Sequence, residues 1–507
     1  MKKIIVLFTG LLIGSLSFGQ KLTFKIAGQK DTTVNLIRYY GNKLYLADTA
    51  EMKNGVVTFD GTKQKPGVLG IYFPDQKYFE FIYNNEDVDI SVTKPNFVET
   101  EVVKKSKENK LFLDYMNFIA AKRKEAKDLT DKNAPKDKIA AISKEVVAYQ
   151  NKLIADNPTT LVSKIVKMSM DIEIPDAPKN ADGSPVDSSF AYHYYRDHYF
   201  DNIDLKDDRL VNSPVFHNKV DNYFSKNTLI QQPDTIIKYA YRLVDKFDPK
   251  SEMFKYVLHH ITYKYETSNI MGFDKIFVAM VLKYYCPGYE EGNSVATWMT
   301  KEKLKEMCDK ANILQHLVVG VVPPNISLRD TTDVTWKSLA DVKADYTILY
   351  FWDPECGHCK KETPKLQRLY AEKLKARNVE VYAVGKATGD DFEKWKEFIR
   401  KNGLTFINVA LTQSLYEAAS KDWRQFIPKY TNVESLNYSE HFDIYATPKV
   451  FLLDKDKKIV AKSLSIAQLE EVIDRLQGQA DAPKLFPVED EEKDTEHAPA
   501  PTSGQSK

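Results

Sequence analysis

The segment that most constrains this chain is Tyr346-Thr-Ile-Leu-Tyr-Phe-Trp-Asp-Pro-Glu-Cys-Gly-His-Cys-Lys-Lys-Glu-Thr-Pro364. Residues 347–351 form an apolar run of strand length, and Asp353-Pro354 breaks it. Beyond the break, Leu366, Leu369, Tyr370 and Leu374 recur at helical spacing. Cys356 therefore falls where a helix begins. Unpaired backbone N–H groups and the helix dipole stabilise a thiolate at such a place. The thiolate, not the thiol, attacks disulfides. Cys359 lies one helical turn on, within reach of Cys356 and less exposed. The chain has only four cysteines in 507 residues, which rules out a disulfide scaffold. Cys356 and Cys359 could be half of a zinc site, but Cys286 and Cys308 form no second knuckle, so no metal is expected. Those two either pair in an oxidising compartment or stay as buried single thiols.

A second signal lies downstream. Ala446-Thr447-Pro448 directly precedes a strand at residues 449–453. A hairpin at 454–458, a short strand at 459–461 and a final helix follow. That helix opens on a capping-box candidate, Ser465 with Gln468, and carries the stripe Leu469, Val472, Ile473 and Leu476. In their order and spacing, the strand, Phe351-Trp352, the two cysteines, Lys360-Lys361-Glu362, Pro364 and Thr447-Pro448 resemble the thioredoxin superfamily. They are most similar to its exported TlpA-type thiol-disulfide oxidoreductases. The resemblance covers about a third of the chain. It implies a kink at Pro364, and a cis bond at Thr447-Pro448 that faces the dithiol and presents backbone to substrates. It also implies proton transfer by Glu362. Trp352 reads as packing beside the site.

Three positions depart from the family or refine it. Tyr350 stands where thioredoxin itself has a buried Asp. Glu355 replaces the family's Trp before the first cysteine, and its charge is expected to oppose the thiolate. Gly357-His358 is the pair found in protein disulfide isomerase. A histidine there can stabilise the Cys356 thiolate and make the disulfide more oxidising. The TlpA-type context points instead to a reductant, so the sequence leaves the direction of electron flow open.

The remaining chain is too long for one core, and about three domains are expected. Residues 1–19 read as a signal peptide: Lys2 and Lys3, an apolar stretch, then the small residues Ser17 and Gly19. The run is short for a membrane span, which needs about 20 residues, and no later segment is long and apolar enough. Residues 20–99 alternate in short strands with turn signals between them and read as a small all-β, sandwich-like domain. Residues 100–313 are helical, with apolar positions spaced by three and four. Residues 314–479 alternate strand and helix as the α/β thioredoxin-like domain. Residues 480–507, rich in Pro, Glu, Asp, Ala and Ser, read as a disordered tail. Between residues 409 and 445 the chain spends more residues than minimal family members do, including Trp423, Phe426 and Tyr430. This insertion either shapes a substrate surface beside Pro448 or is a surface decoration.

The sequence thus predicts a multidomain, exported, periplasmic enzyme that needs no cofactor. Its partners would be protein thiols and disulfides, with a membrane or soluble redox partner. With 72 basic and 71 acidic residues, no basic field supports nucleic-acid binding. Cys356 attacks, Cys359 resolves, Glu362 moves protons, and His358, Trp352, Thr447 and Pro448 support the site. The competing readings are a partner-binding envelope protein with a vestigial or regulatory dithiol, and a peroxidase of the peroxiredoxin type. The latter fits two cysteines one turn apart poorly.

Overall fold

In a computed structural model, residues 20–487 are described; residues 1–19, whose pattern reads as a signal peptide, lie outside them. The chain divides into two compact units, one ending at His259 and the other starting at His260.

The first unit opens with eight strands: β1 (Lys21–Ala27), β2 (Thr33–Tyr40), β3 (Lys43–Glu51), β4 (Val56–Asp60), β5 (Gly67–Tyr72), β6 (Tyr78–Tyr83), β7 (Val88–Thr93) and β8 (Val102–Lys105). They form two four-stranded sheets, in the orders β4-β1-β7-β8 and β3-β2-β5-β6. Period-two alternation points Leu22, Phe24 and Ile26 of β1 into one apolar core with Leu36, Phe59, Leu69, Phe81 and Ile90. Helices follow: α1 (Lys107–Asp131), α2 (Lys136–Asp156), α3 (Leu161–Ser169), α4 (Phe190–His198), α5 (Pro214–Tyr223) and α6 (Pro233–Val244), and the division between the units falls within α7 (Glu252–Glu266). Two buried polar groups tie α1 to its neighbours. The Glu108 carboxylate accepts from the N–H groups of Leu161 and Val162 at the start of α3, at 2.8 and 2.9 Å. Asn109 exchanges hydrogen bonds with the Ile82 backbone of β6. A carboxylate at a helix N-terminus is favourable in both charge and hydrogen bonding, which allows Glu108 to be buried.

The second unit opens with α8 (Asp274–Met280) and α9 (Lys301–Leu314). Lys462 of the last strand forms an ion pair with Asp274 and donates to the carbonyl of Leu317. Cys286 and Cys308 are joined in a disulfide, which resolves the alternatives left open by their spacing.

The rest of this unit is a seven-stranded sheet. Its strands are β9 (Ser327–Asp330), β10 (Trp336–Ser338), β11 (Tyr346–Trp352), β12 (Val379–Ala387), β13 (Ile407–Thr412), β14 (Lys449–Asp454) and β15 (Ile459–Lys462), in the order β10-β9-β13-β12-β11-β14-β15. β11, β12 and β13 run parallel, and β14 is antiparallel to β11. The intervening helices are α10 (Gly357–Leu369), α11 (Asp391–Lys401), α12 (Gln413–Asp422), α13 (Val433–Leu436) and α14 (Tyr438–His441), and α15 (Ile466–Leu476) closes the domain. Alternation along β11 serves two cores. Ile348, Tyr350 and Trp352 pack with α10 and α15. Leu349 and Phe351 face the opposite core, where Leu415, Leu436, Tyr438 and Phe442 of the insertion lie. The insertion therefore forms a layer of the fold and is no surface decoration.

Residues 480–487, which composition assigns to the start of a disordered tail, are docked on this domain. The buried Glu470 carboxylate accepts from the N–H groups of Leu485 and Phe486. Lys484 pairs with Asp474 at 2.6 Å. Composition misses this because the anchors lie on α15 and in the docked backbone. Residues 488–507 are outside the described residues.

The disulfide closes a loop with a sequence separation of 22. A ring of that size restricts the unfolded chain by about 3 kcal/mol. The double variant Cys286→Ala/Cys308→Ala is expected to lose that amount in denaturant unfolding of the second unit. An unchanged midpoint would show that the cross-link adds nothing to stability.

Candidate active site

The site begins where β11 runs out. Asp353 turns the chain: its side chain accepts from the Glu355 N–H at 2.7 Å, and its carbonyl accepts from the Cys356 N–H at 3.1 Å. Cys356 then takes the N-cap position of α10, and its sulfur accepts the Cys359 N–H at 3.4 Å. A sulfur here does what a Ser or Asp oxygen does at other helix starts, satisfying a backbone donor that would otherwise lack a partner. On its other side, the Cys356 sulfhydryl donates to the Thr447 carbonyl at 3.1 Å. The Thr447–Pro448 bond is cis, and the two motifs, 91 residues apart in sequence, meet at one sulfur.

The two thiols differ sharply. Cys356 is partly exposed and Cys359 fully buried, and neither is in a disulfide. Partial burial works against the Cys356 thiolate. Hydrogen bonds from the Thr447 side chain and from the backbone N–H groups of Cys359 and His358 outweigh it and hold this thiol below its ordinary value. Burial pushes Cys359 up to about 12, and the Cys356 charge adds to the effect. One sulfur is poised to be a nucleophile and the other keeps its proton.

The supporting residues divide by contact. His358 is exposed; its backbone N–H is among the groups that lower the Cys356 pKa, after Thr447 and Cys359. Glu362 pairs through one oxygen with Lys365 at 2.9 Å, while Oε2 is buried without a hydrogen-bond partner. Trp352 is buried against Phe398 in the core that contains Cys359, and its Nε1 has no partner. Tyr350, standing where thioredoxin has Asp, bonds through its hydroxyl to Thr363 at 2.9 Å inside that core. Burial holds this hydroxyl well above its ordinary value, so it stays neutral. The charge of Glu355 is not left facing the thiolate: it lies 3.6 Å from Lys360 and 3.7 Å from Lys394. These exposed pairs add little stability, but they place two cations around that carboxylate.

Sequence reading missed the clamp that fixes the Pro448 loop. Lys449, the residue after the proline, forms an ion pair with Asp443 at 3.0 Å. The i,i+6 spacing gave no signal, because it becomes a contact only when the loop folds back. Among the described residues no group of three or more His, Cys, Asp and Glu is placed to hold an ion, and Cys286 and Cys308 are bonded to each other.

If the backbone N–H of residue 358 is what matters, His358→Ala should leave the Cys356 pKa close to wild type. His358→Pro, which removes that donor, should raise it and make the disulfide harder to reduce by about 30 mV for each 1.4 kcal/mol lost. Rates of iodoacetamide alkylation against pH read this directly. In wild type, Cys356 should react with a midpoint below 9, and Cys359 should stay unreactive until about pH 12. Equal shifts in the two variants would return the role to the imidazole.

Comparison with known proteins bears on the same segment. The AhpC/TSA family matches residues 319–462. Two domains of unknown function match elsewhere, DUF4369 at 21–112 and DUF5106 at 129–313. No curated protein matches the chain. Among solved structures, a domain of a possible thiol-disulfide isomerase from Cytophaga hutchinsonii is 35% identical, covering 32% of this chain and 96% of that one, with a TM-score of 0.24. The thioredoxin domain of a thiol-disulfide oxidoreductase from Bacteroides vulgatus is 27% identical over 31% of this chain and 97% of its own, TM-score 0.25. A thioredoxin-like protein from Bacteroides caccae is 15% identical over 60% and 98%, TM-score 0.40. Given a relative 35% identical along nearly its whole length and a family match over the same stretch, the chain belongs to the thioredoxin superfamily, through a C-terminal domain of the TlpA type.

Proposed function

We propose that this chain is an exported, periplasmic thiol-disulfide oxidoreductase that exchanges its Cys356–Cys359 pair with disulfides of protein substrates. The carrying observation is the asymmetry of the two sulfurs, one a partly exposed helix cap with a lowered pKa and the other buried with a raised one. The Cys356 thiolate attacks one sulfur of a partner disulfide. The partner's S–S bond breaks, its leaving sulfur takes up a proton, and Cys356 is joined to the partner. Cys359 then loses its proton and attacks the Cys356 sulfur, releasing the second partner thiol. Two electrons and two protons pass to the partner, and a donor dithiol must return them to complete a cycle.

Glu362 is the candidate acceptor for the Cys359 proton. It lies three residues further along the same helix, so the two side chains share a face, and its Oε2 is buried without a partner. Pro448 and Thr447 present backbone to the bound chain, while Trp352 supports by packing. Export rests on the pattern of residues 1–19; no helix among the described residues is long and apolar enough to cross a membrane.

The test is trapping. Cys359→Ser should accumulate partner proteins disulfide-linked to Cys356, and Cys356→Ser should trap none. Glu362→Gln should slow the second, resolving step on the order of 100-fold, the usual scale for losing a proton acceptor, with the first step unchanged. A Cys359→Ser protein that captures partners only noncovalently would instead mark a binding protein with an idle dithiol.

A further inference from the structure

One residue of the redox face has no structural task. Tyr445 is 91% exposed, the most exposed large apolar side chain among the described residues. Its ring makes no ring contact, and its hydroxyl no hydrogen bond, among those residues. The backbone around it is nevertheless well held. On one side the Ile444 N–H donates to the Ser439 carbonyl at 2.7 Å, and Asp443 pairs with Lys449. On the other, the Thr447 carbonyl faces the Cys356 sulfur. The insertion that carries this segment also packs on the strand that leads into the active-site turn, with Tyr438 stacked on Phe351 at 5.8 Å between ring centroids. The fold thus spends a packed layer and an ion pair on holding a loop that presents an unpacked tyrosine two residues from the one facing the nucleophile.

A large aromatic ring left in water loses the benefit of burial, and such rings recur where one surface receives another. Around the active-site turn, Asp353, Glu355 and Asp391 are met by Lys360, Lys386 and Lys394 within 4 Å. What Tyr445 adds for a partner on the other side is apolar contact. Two residues of extended backbone span about 7 Å. A ring at that distance reaches residues flanking a substrate cysteine and misses a minimal disulfide. We propose that Tyr445 is a specificity residue: it receives an aromatic or large aliphatic side chain close to the cysteine of an extended polypeptide. This rests on the exchange reading above.

The test uses pre-reduced protein in single turnover against three probes. One is bis(hydroxyethyl) disulfide. The others are the peptides Gly-Phe-Gly-Cys-Gly-Phe-Gly and its Ser-for-Phe counterpart, each with its cysteine capped by the same hydroxyethyl thiol. Wild type should react about tenfold faster with the Phe peptide than with the Ser peptide. Tyr445→Ser should bring that ratio to about one while leaving the rate with the small disulfide within twofold of wild type. Tyr445→Phe should keep the preference. The ratio of the two peptide rates cancels any loss of competent protein. A Tyr445→Ser protein that still prefers Phe, or a wild type with no preference, overturns the proposal while exchange stands. A wild type inert towards all three probes overturns the exchange reading and this inference with it.

Discussion

A sulfur atom used as a helix cap is the constraint on which the rest of the domain depends. Cys356 satisfies the Cys359 N–H at the start of α10, and its charge is favoured by the same unpaired donors that make helix starts receptive to anions. For that to serve exchange, Cys356 must stay accessible while Cys359 does not, and a substrate backbone must be able to approach. The turn after β11 meets the first condition, with Glu355 exposed and Cys356 partly exposed at the cap. The core that contains Trp352, Trp395 and Leu366 meets the second by closing over Cys359. The Thr447–Pro448 loop meets the third by lying against the sulfur from the opposite side.

These demands explain why both faces of the sheet are covered. One face carries α10, which must be rigid because a frayed first turn would lose the donors that stabilise the thiolate. The other carries the insertion, whose Tyr438 and Phe442 pack on Phe351 with ring centroids 5.8 and 5.0 Å apart. Phe351 is the neighbour of Trp352, so the strand end that aims the active-site turn is gripped from both sides. The insertion also leads into Asp443, the partner of Lys449, and so holds the proline loop from the side away from the cysteines.

Charge is arranged with similar economy. At the far end of the domain, Asp474 is fully buried yet stays ionised: burial opposes this, but Lys484, Arg377 and Lys373 converge on it. Removing one cation would leave a buried charge short of partners, which is costlier than losing a surface pair. Near the cysteines the opposite choice is made. The carboxylates of the active-site turn are left in partly exposed pairs, where screening by solvent keeps their influence on the thiolate small.

The sequence by itself determined the chemistry and most of the element order. A dithiol with one-turn spacing after a buried strand, a proline inside the following helix, and Thr447-Pro448 before a later strand are local patterns, and each is dictated by backbone geometry within a few residues. The capping box at Ser465 and Gln468 was legible for the same reason, and both of its hydrogen bonds form. The pairing of Cys286 with Cys308 and the docking of residues 480–487 were not legible, because each depends on a contact between segments far apart in the chain. The same holds for the Asp443–Lys449 clamp. Local pattern fixes which groups could react. Tertiary packing decides which of them meet, because burial and hydrogen-bond partners are set by what the rest of the chain brings alongside.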